Sequence, residues 1–272
     1  MKISIIGLGF VGSAIENSLL LKGFKLNQCL FSYDKYKNGG IGSLEQCLSS
    51  DIMFLCLPTL FDKQLNKYDK ASIYEVCNLL EGYKYTGLII IKSTVEPQTT
   101  EILCRDFTTL KFIHNPEFLT ARTANEDFHN QNHVVLGKSD KLSESDIKPI
   151  INFYTAYYPN AKISLCSSME SESMKIYCNT FYSVKVQFFT ELYLLCQKNN
   201  TNYNVIRDLM LSNNWINPMH TNIPGPDGQV SYGGVCFPKD ANALNHYMKL
   251  LDSPNGVLEA SIKERNLLRK NE

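Results

Sequence analysis

With 272 residues, 44% of them hydrophobic, the chain holds enough apolar material for one large or two medium cores. Its 27 basic and 27 acidic side chains cancel, so no bulk field favours nucleic acid or an anionic membrane surface. No run of about 18 apolar residues predicts a membrane-spanning helix, and nine cysteines with no Cys-x-x-Cys pair or Cys/His ligand spacing argue against zinc and against a disulfide framework.

Met1 to Gly7 reads as a first strand, not as a signal segment. Up to about residue 165, short apolar runs alternate with amphipathic stretches. Strands are predicted at Lys2–Ile6, Leu30–Tyr33, Ile52–Leu57, Leu88–Ile91, Lys111–Ile113 and Val134–Leu136. Helices are predicted between them at Val11–Leu21, Ser72–Leu80, Gln98–Asp106 and Ser143–Tyr157. Near-continuous apolar strands separated by helices signal an α/β fold, a doubly wound parallel sheet of the Rossmann type covered on both faces. Gly39-Gly40 with Gly42, and the stretch from Asn115 to Asn132, read as loops.

After Cys166 the pattern changes. No proline or glycine interrupts Ser168 to Gln197, and Tyr177, Phe181, Val184, Phe188, Leu192 and Leu195 recur three or four apart, the mark of one apolar helix face. A helix of that length is expected to span two bodies or form a subunit interface. Asn213 to Tyr232 reads as an ordered loop, and Pro238–Leu251 and Gly256–Arg269 as closing helices. Two domains follow: residues 1–165, a dinucleotide-binding domain, and 166–272, a helical domain.

Four groups of residues are candidates for chemistry. Gly7-Leu8-Gly9-Phe10-Val11-Gly12 lies between the first strand and first helix. There, glycines permit a tight turn, close approach of a pyrophosphate and close helix packing. Asp34 closes the second strand, where a carboxylate can bind ribose hydroxyls and repel a 2′-phosphate, favouring NAD over NADP. Cys56-Leu57-Pro58-Thr59, Lys92-Ser93-Thr94 and Asn115-Pro116-Glu117-Phe118-Leu119 end their strands on the side where open α/β sheets bind ligands. The alternative for each hydroxyl is a helix N-cap. Lys175 and Asn179, four apart on the long helix, suit a developing oxyanion, against the alternative of a surface pair. Last, Gly233-Gly234-Val235-Cys236-Phe237-Pro238-Lys239-Asp240 places a thiol in a glycine turn just ahead of a proline at a helix's first position. At the positive end of a helix a thiolate is favoured over a thiol. The alternative is a cysteine serving as small apolar filler.

These motifs, in this order, resemble the UDP-glucose/GDP-mannose dehydrogenases, NAD-dependent enzymes that oxidise the C6 alcohol of a sugar nucleotide to a carboxylate. The resemblance extends over essentially the whole chain, and the cysteine segment is its most specific part. It implies NAD on Gly7, Gly9, Phe10, Val11, Gly12, Asp34, Pro58, Thr59, Ser93 and Thr94, and no metal. It implies catalysis by Cys236 through a thiohemiacetal and then a thioester, an oxyanion held by Lys175 and Asn179, and water managed by Glu117 and Thr94 with support from Asp240. Phe118, Leu119, Lys175, Asn179, Tyr232, Gly233 and Gly234 would face a nucleotide-sugar substrate, UDP-glucose by default. A cytoplasmic homodimer through the 168–197 helix is expected, with no nucleic acid or membrane partner.

The sequence also departs from the family. Full-length members continue into a further nucleotide-binding domain with no counterpart here. Thr120-Ala121-Arg122 stands where Glu-Gly is usual, Asp227–Ser231 is an insertion, and the stretch after Asp34 is short. An arginine expected between Asn217 and Thr221 has no clear counterpart. Two alternatives stay open: a β-hydroxyacid dehydrogenase of the 6-phosphogluconate type, which needs no cysteine, and a non-catalytic NAD-binding module.

Overall fold

The structure, a computed structural model, describes residues 1–62, 64–120 and 122–270. Ala121, inside one of the family departures, and the last two residues of the expected second domain lie outside them. In chain order the elements begin β1 (Ile3–Ile6), α1 (Phe10–Leu21), β2 (Leu30–Tyr33), α2 (Leu44–Cys47), β3 (Ile52–Leu55), β4 (Phe61–Asp62) and β5 (Lys67–Tyr68). Next come α3 (Ala71–Gly82), β6 (Leu88–Ile91), α4 (Thr99–Asp106), β7 (Lys111–His114), α5 (Ala124–His129) and β8 (His133–Lys138). The rest are α6 (Glu144–Tyr157), β9 (Lys162–Ser167), α7 (Ser168–Lys198), α8 (Tyr203–Leu211), α9 (Phe237–Leu250) and α10 (Gly256–Leu268). They fall into two compact units, one of residues 1–60 and 68–175, the other of residues 61–67 and 176 onward.

The first unit is built on a seven-stranded sheet in the order β2-β1-β3-β6-β7-β8-β9. Side chains on a strand alternate faces, and the apolar runs feed two cores accordingly. Ile5, Phe54 and Ile90 enter one core, while their neighbours Ile6, Leu55 and Ile91 enter the other. This explains why the strands are apolar at every position: both faces are covered. The expected all-parallel sheet needs one correction, because β7 and β8 pair antiparallel, with Ile113 opposite Lys138. The chain leaves β7 through α5, which packs beside α1 and does not carry the chain back across the sheet. Thus β8 enters from the opposite end. The Asn115–Asn132 stretch is therefore not wholly loop. The edge strand β9 was also not predicted; its Lys-Ile-Ser-Leu-Cys-Ser alternation is half-buried and lacks an apolar run.

The second unit contains most of α7, together with α8, α9 and α10. Helix α8, also unpredicted, starts from the Asn202 side chain, which accepts hydrogen bonds from the Asn204 and Val205 N–H groups. Helix α7 reverses the usual amphipathic pattern along much of its length. The predicted apolar stripe exists, but Tyr177, Phe181, Phe188 and Leu195 are exposed. Its buried positions include Asn179, Thr180, Ser183, Gln187 and Thr190. Polar groups away from water need partners; Gln187 and Thr190 find one in Ser231 of the loop before α9, and Asn179 in Asp240 of α9 itself.

Candidate active site

The glycine turn follows from close backbone packing. Gly7 has φ 90°, a left-handed value that glycine adopts without strain, and a Cβ there would lie 2.6 Å from the Cys56 carbonyl oxygen. At Gly12 a Cβ would collide with the carbonyl oxygen of Gly7, whereas Gly9 faces open space. The N-terminus of α1 is thereby left bare for a phosphate. The Asp34 carboxylate accepts from the backbone N–H groups of Leu8 (2.7 Å), Tyr36 (2.9 Å) and Lys37 (2.8 Å). Burial works to raise its pKa, but those donors and the Lys37 ammonium hold it below the usual carboxylate value. A cavity of about 420 Å³ lies at this turn, lined by Gly7, Gly9, Phe10, Val11, Asp34 and Pro58 among others. A bare turn, an acidic lip and an adjoining cavity fit a dinucleotide. Lys37, in a short basic cluster that reads as solvated surface from sequence, donates to the Leu8 carbonyl (2.7 Å) and Ser13 Oγ (2.9 Å), fixing the turn from outside.

Side-chain hydroxyls lace together the loops after β3 and β6. Thr59 Oγ1 donates to the Thr94 carbonyl (2.7 Å) and Ser93 Oγ to the Leu57 carbonyl (2.6 Å). The N-cap alternative fails for Thr59, Ser93 and Thr94, because the following helices begin at Ala71 and Thr99. Beneath them Lys92 is fully buried, donating to Asn115 Oδ1 (3.0 Å) and the Pro116 carbonyl (3.3 Å). Burial brings its pKa down to about 8.

Lys175 is buried, not at the surface, which removes the surface-pair alternative. Its Nζ lies 3.0 Å from Glu117 Oε1, donates to the Glu117 carbonyl at 2.5 Å, and sits 5.5 Å from the centre of the Phe118 ring. Glu117 Oε2 in turn accepts from the Leu119 N–H at 2.7 Å. One turn earlier on α7, Glu172 accepts from the Thr100 N–H (2.7 Å) and hydroxyl (2.6 Å), tying this helix to the start of α4. Its other oxygen is buried without a hydrogen-bond partner, and burial lifts its pKa to about 7. Nearby in sequence, Ser171 bonds Nδ1 of buried His114 (2.8 Å). Burial, aided by the Lys92 charge, drives that imidazole's pKa down to about 3.

In the second unit, Cys236 is the exposed N-cap residue of α9. Pro238 takes the second helical position, not the predicted first, because Phe237 intervenes. The substitution is harmless, since the first four N–H groups of a helix have no intrahelical acceptor. Inside α9, Asp240 is fully buried; its Oδ2 accepts from Asn179 Nδ2 at 2.6 Å and its Oδ1 lies 2.7 Å from the Lys239 ammonium. Tyr232 is buried, while Gly234 and Val235 lead outward to the thiol. The filler alternative for Cys236 is inconsistent with this exposure. No cluster of His, Cys, Asp and Glu among the described residues forms a metal site.

The UDP-glucose/GDP-mannose dehydrogenase family's NAD binding domain matches residues 41–155, and its central domain matches residues 169–266. UDP-glucose 6-dehydrogenase of Campylobacter jejuni is 28% identical over 99% of this chain and 73% of its own. Several other curated relatives are matched over about half their length. By fold, the chain resembles a UDP-glucose dehydrogenase from Pyrobaculum islandicum (TM-score 0.84, 21% identity, 99% of this chain and 68% of that one). It also resembles a Mycobacterium tuberculosis 3-hydroxyisobutyrate dehydrogenase (TM-score 0.75, 15% identity, 99% and 94%). Two consecutive domain matches cover most of the sequence, and the NAD binding domain makes NAD the cofactor. The chain belongs to the UDP-glucose/GDP-mannose dehydrogenase family, a family of NAD-dependent oxidoreductases.

Proposed function

We propose that this protein is a nucleotide-sugar 6-dehydrogenase that oxidises a primary alcohol to a carboxylate in two steps, with UDP-glucose as the first substrate to test. The observation that carries the reading is Cys236, exposed at the head of α9 while Asp240, one turn on, is buried and bonded to Asn179. Bound NAD supplies the hydride acceptor for each oxidation. Gly7, Gly9, Phe10, Val11 and Gly12 hold it through backbone, Asp34 through its ribose, and Pro58, Thr59, Ser93 and Thr94 along the strand-end loops.

The first oxidation turns the C6 alcohol into an aldehyde and releases one proton. The Cys236 sulfur adds to the aldehyde carbon, keeping it bound as a thiohemiacetal. Loss of a second hydride to NAD and of the hydroxyl proton gives a thioester, and one water molecule cleaves it to the acid and the free thiol. Lys175 and Asn179 stabilise the oxyanion, Thr94 positions the water and Glu117 takes its proton, and Asp240 orients Asn179. Phe118, Leu119, Tyr232, Gly233 and Gly234 are assigned to the substrate. The balance is two NAD reduced per sugar oxidised.

The fold match to a 3-hydroxyisobutyrate dehydrogenase of nearly equal extent favours a second reading, a β-hydroxyacid dehydrogenase. Such chemistry stops after one hydride and has no use for Cys236. The two readings separate in one assay: NAD with a panel of sugar nucleotides and of β-hydroxyacids. Two NADH and one carboxylate per sugar support the first. One NADH per hydroxyacid supports the second, and NAD binding without turnover on either leaves a binding module.

The exposed stripe of Tyr177, Phe181, Phe188 and Leu195 on α7 supports a homodimer through that helix. A solution mass of one chain at micromolar concentration would contradict it. The cytoplasm is the proposed compartment, where cysteine thiols persist. No described helix is long and apolar enough to cross a membrane.

A further inference from the structure

The loop that delivers Cys236 is gripped from two sides by residues that no motif contains. Arg265, in the last turn of α10, and Arg269, its C-cap residue, are both nearly inaccessible, at 6% and 4% exposure. Arg269 donates from Nε to the Val230 carbonyl (2.8 Å) and from Nη2 to the Ser231 carbonyl (3.1 Å). The same Nη2 lies 2.6 Å from Asp227 Oδ2. Arg265 donates from Nε to the Tyr232 carbonyl at 3.2 Å, with its guanidinium 5.9 Å from the centre of that ring. Three consecutive carbonyls thus turn toward one helix. An extended chain points successive carbonyls to opposite sides, so this arrangement requires a bend. Ser231 supplies it at φ 63°, a left-handed conformation costly for a side chain with a Cβ. Ser231 is held there from the other side: its N–H donates to Thr190 Oγ1 (2.9 Å) and its hydroxyl to Gln187 Oε1 (2.5 Å), both on α7. Gln187 in turn donates to Glu264 Oε2 on α10 at 2.9 Å. Immediately after this segment, a Cβ added at Gly233 would collide with the Arg269 guanidinium.

We propose that Arg265 and Arg269 are positioning residues for the catalytic cysteine, clamping the 227–233 segment, and that residue 233 is glycine because Arg269 fills its side-chain space. The proposal rests on the role assigned to Cys236. It also gives the Asp227–Ser231 insertion a task, since it supplies both the carboxylate and the bend that the clamp engages. A guanidinium suits this site because its rigid fork can serve several acceptors at once, which an ammonium cannot reproduce.

The test uses the full chain in four variants: Arg269→Ala, Arg269→Lys, Gly233→Ala and the double variant Gly233→Ala/Arg269→Ala. Two readouts are taken beside melting temperature. One is the rate of iodoacetamide alkylation at the Cys236 peptide, followed by mass without substrate or NAD. The other is kcat and KM separately on the sugar nucleotide that turns over. Misplacement by about an ångström costs on the order of 100-fold, so Arg269→Ala and Gly233→Ala are each expected to lower kcat by about that factor. Both should also change Cys236 alkylation several-fold, with NAD affinity unchanged. Arg269→Lys should recover only part of the loss. The decisive variant is the double one: with the guanidinium gone, Gly233→Ala should add nothing to Arg269→Ala, a full coupling between contacting sites. Independent, multiplying losses overturn the assignment for Gly233. Wild-type alkylation and kcat in a variant that merely melts earlier overturn the positioning role. If Arg269→Ala does not fold, Arg269→Lys decides: wild-type kcat and alkylation in it overturn the positioning role. Should no sugar turn over in the wild type, the proposed function fails, while the alkylation rates still test the clamp.

Discussion

The glycine turn of the first unit and the cysteine loop of the second solve the same problem, an irregular backbone held in one place, by opposite means. The first is shaped by backbone against backbone, with Gly7 and Gly12 packed on carbonyl oxygens, and only its Leu8 edge is tied by side chains, Asp34 and Lys37. The second is backbone held by distant side chains: Arg265 and Arg269 from the end of α10 and its C-cap, and Thr190 and Gln187 from α7. A phosphate can be bound by any correctly shaped main chain. A nucleophile must be aimed, and aiming needs support that reaches in from outside the loop. A clash with main chain cannot be relieved by trimming a side chain, whereas a clash with a side chain can.

That contrast orders the expected effects. Gly12→Ala should be the most damaging, lowering NAD affinity by at least about 100-fold or preventing folding, because its Cβ meets the Gly7 carbonyl. No second-site side-chain truncation should restore it, which calorimetric titration of NAD against double variants would check. Recovery by such a truncation would erase the distinction drawn from Gly233, where removing Arg269 is expected to relieve the clash. The smallest effect belongs to Glu172, which anchors the first turns of α7 to α4. Its pKa in the fold, about 7, lies above the ordinary 4.5. The folded chain therefore binds the extra proton, and its stability falls as pH rises from 4.5 through 7. Glu172→Gln keeps an acceptor for the Thr100 N–H without titrating. Between pH 5 and 8 the wild type should lose on the order of 1–3 kcal/mol relative to this variant in urea unfolding. His114, whose depressed pKa acts in the opposite direction, is common to both proteins and cancels. Parallel stability curves would show that Glu172 does not carry this proton.

Much of the first unit was legible in the sequence because its determinants are local. Apolar runs between helices gave the six strands, and the Gly-x-Gly-x-x-Gly spacing with Asp34 gave the turn that the structure shows. β9 and α5 escaped because β9 is an edge strand half exposed to water, and α5 is a short helix whose only apolar residue besides Ala124 is the buried Phe128. The antiparallel β7–β8 pairing was invisible because strand direction depends on where a connection goes, not on the strand's own residues. On α7 the apolar stripe was found correctly, but spacing alone cannot say which face is covered. Lys175 and Asn179 were found by their offset from that stripe, whereas their carboxylate partners, Glu117 and Asp240, lie 58 and 61 residues away in sequence. Arg265 and Arg269 carried no signal: two arginines four apart on a closing helix look like solvated surface until the 227–233 carbonyls are placed against them.

The central claim, that Cys236 captures the aldehyde of the first oxidation and carries it through the second, is tested most directly by Cys236→Ser. NAD affinity, measured by titration, should stay within about twofold of wild type, because the cysteine loop takes no part in the glycine turn. Carboxylate formation from the sugar nucleotide should fall by at least about 1,000-fold. Carboxylate produced at the wild-type rate, with two NADH for each, would contradict the account.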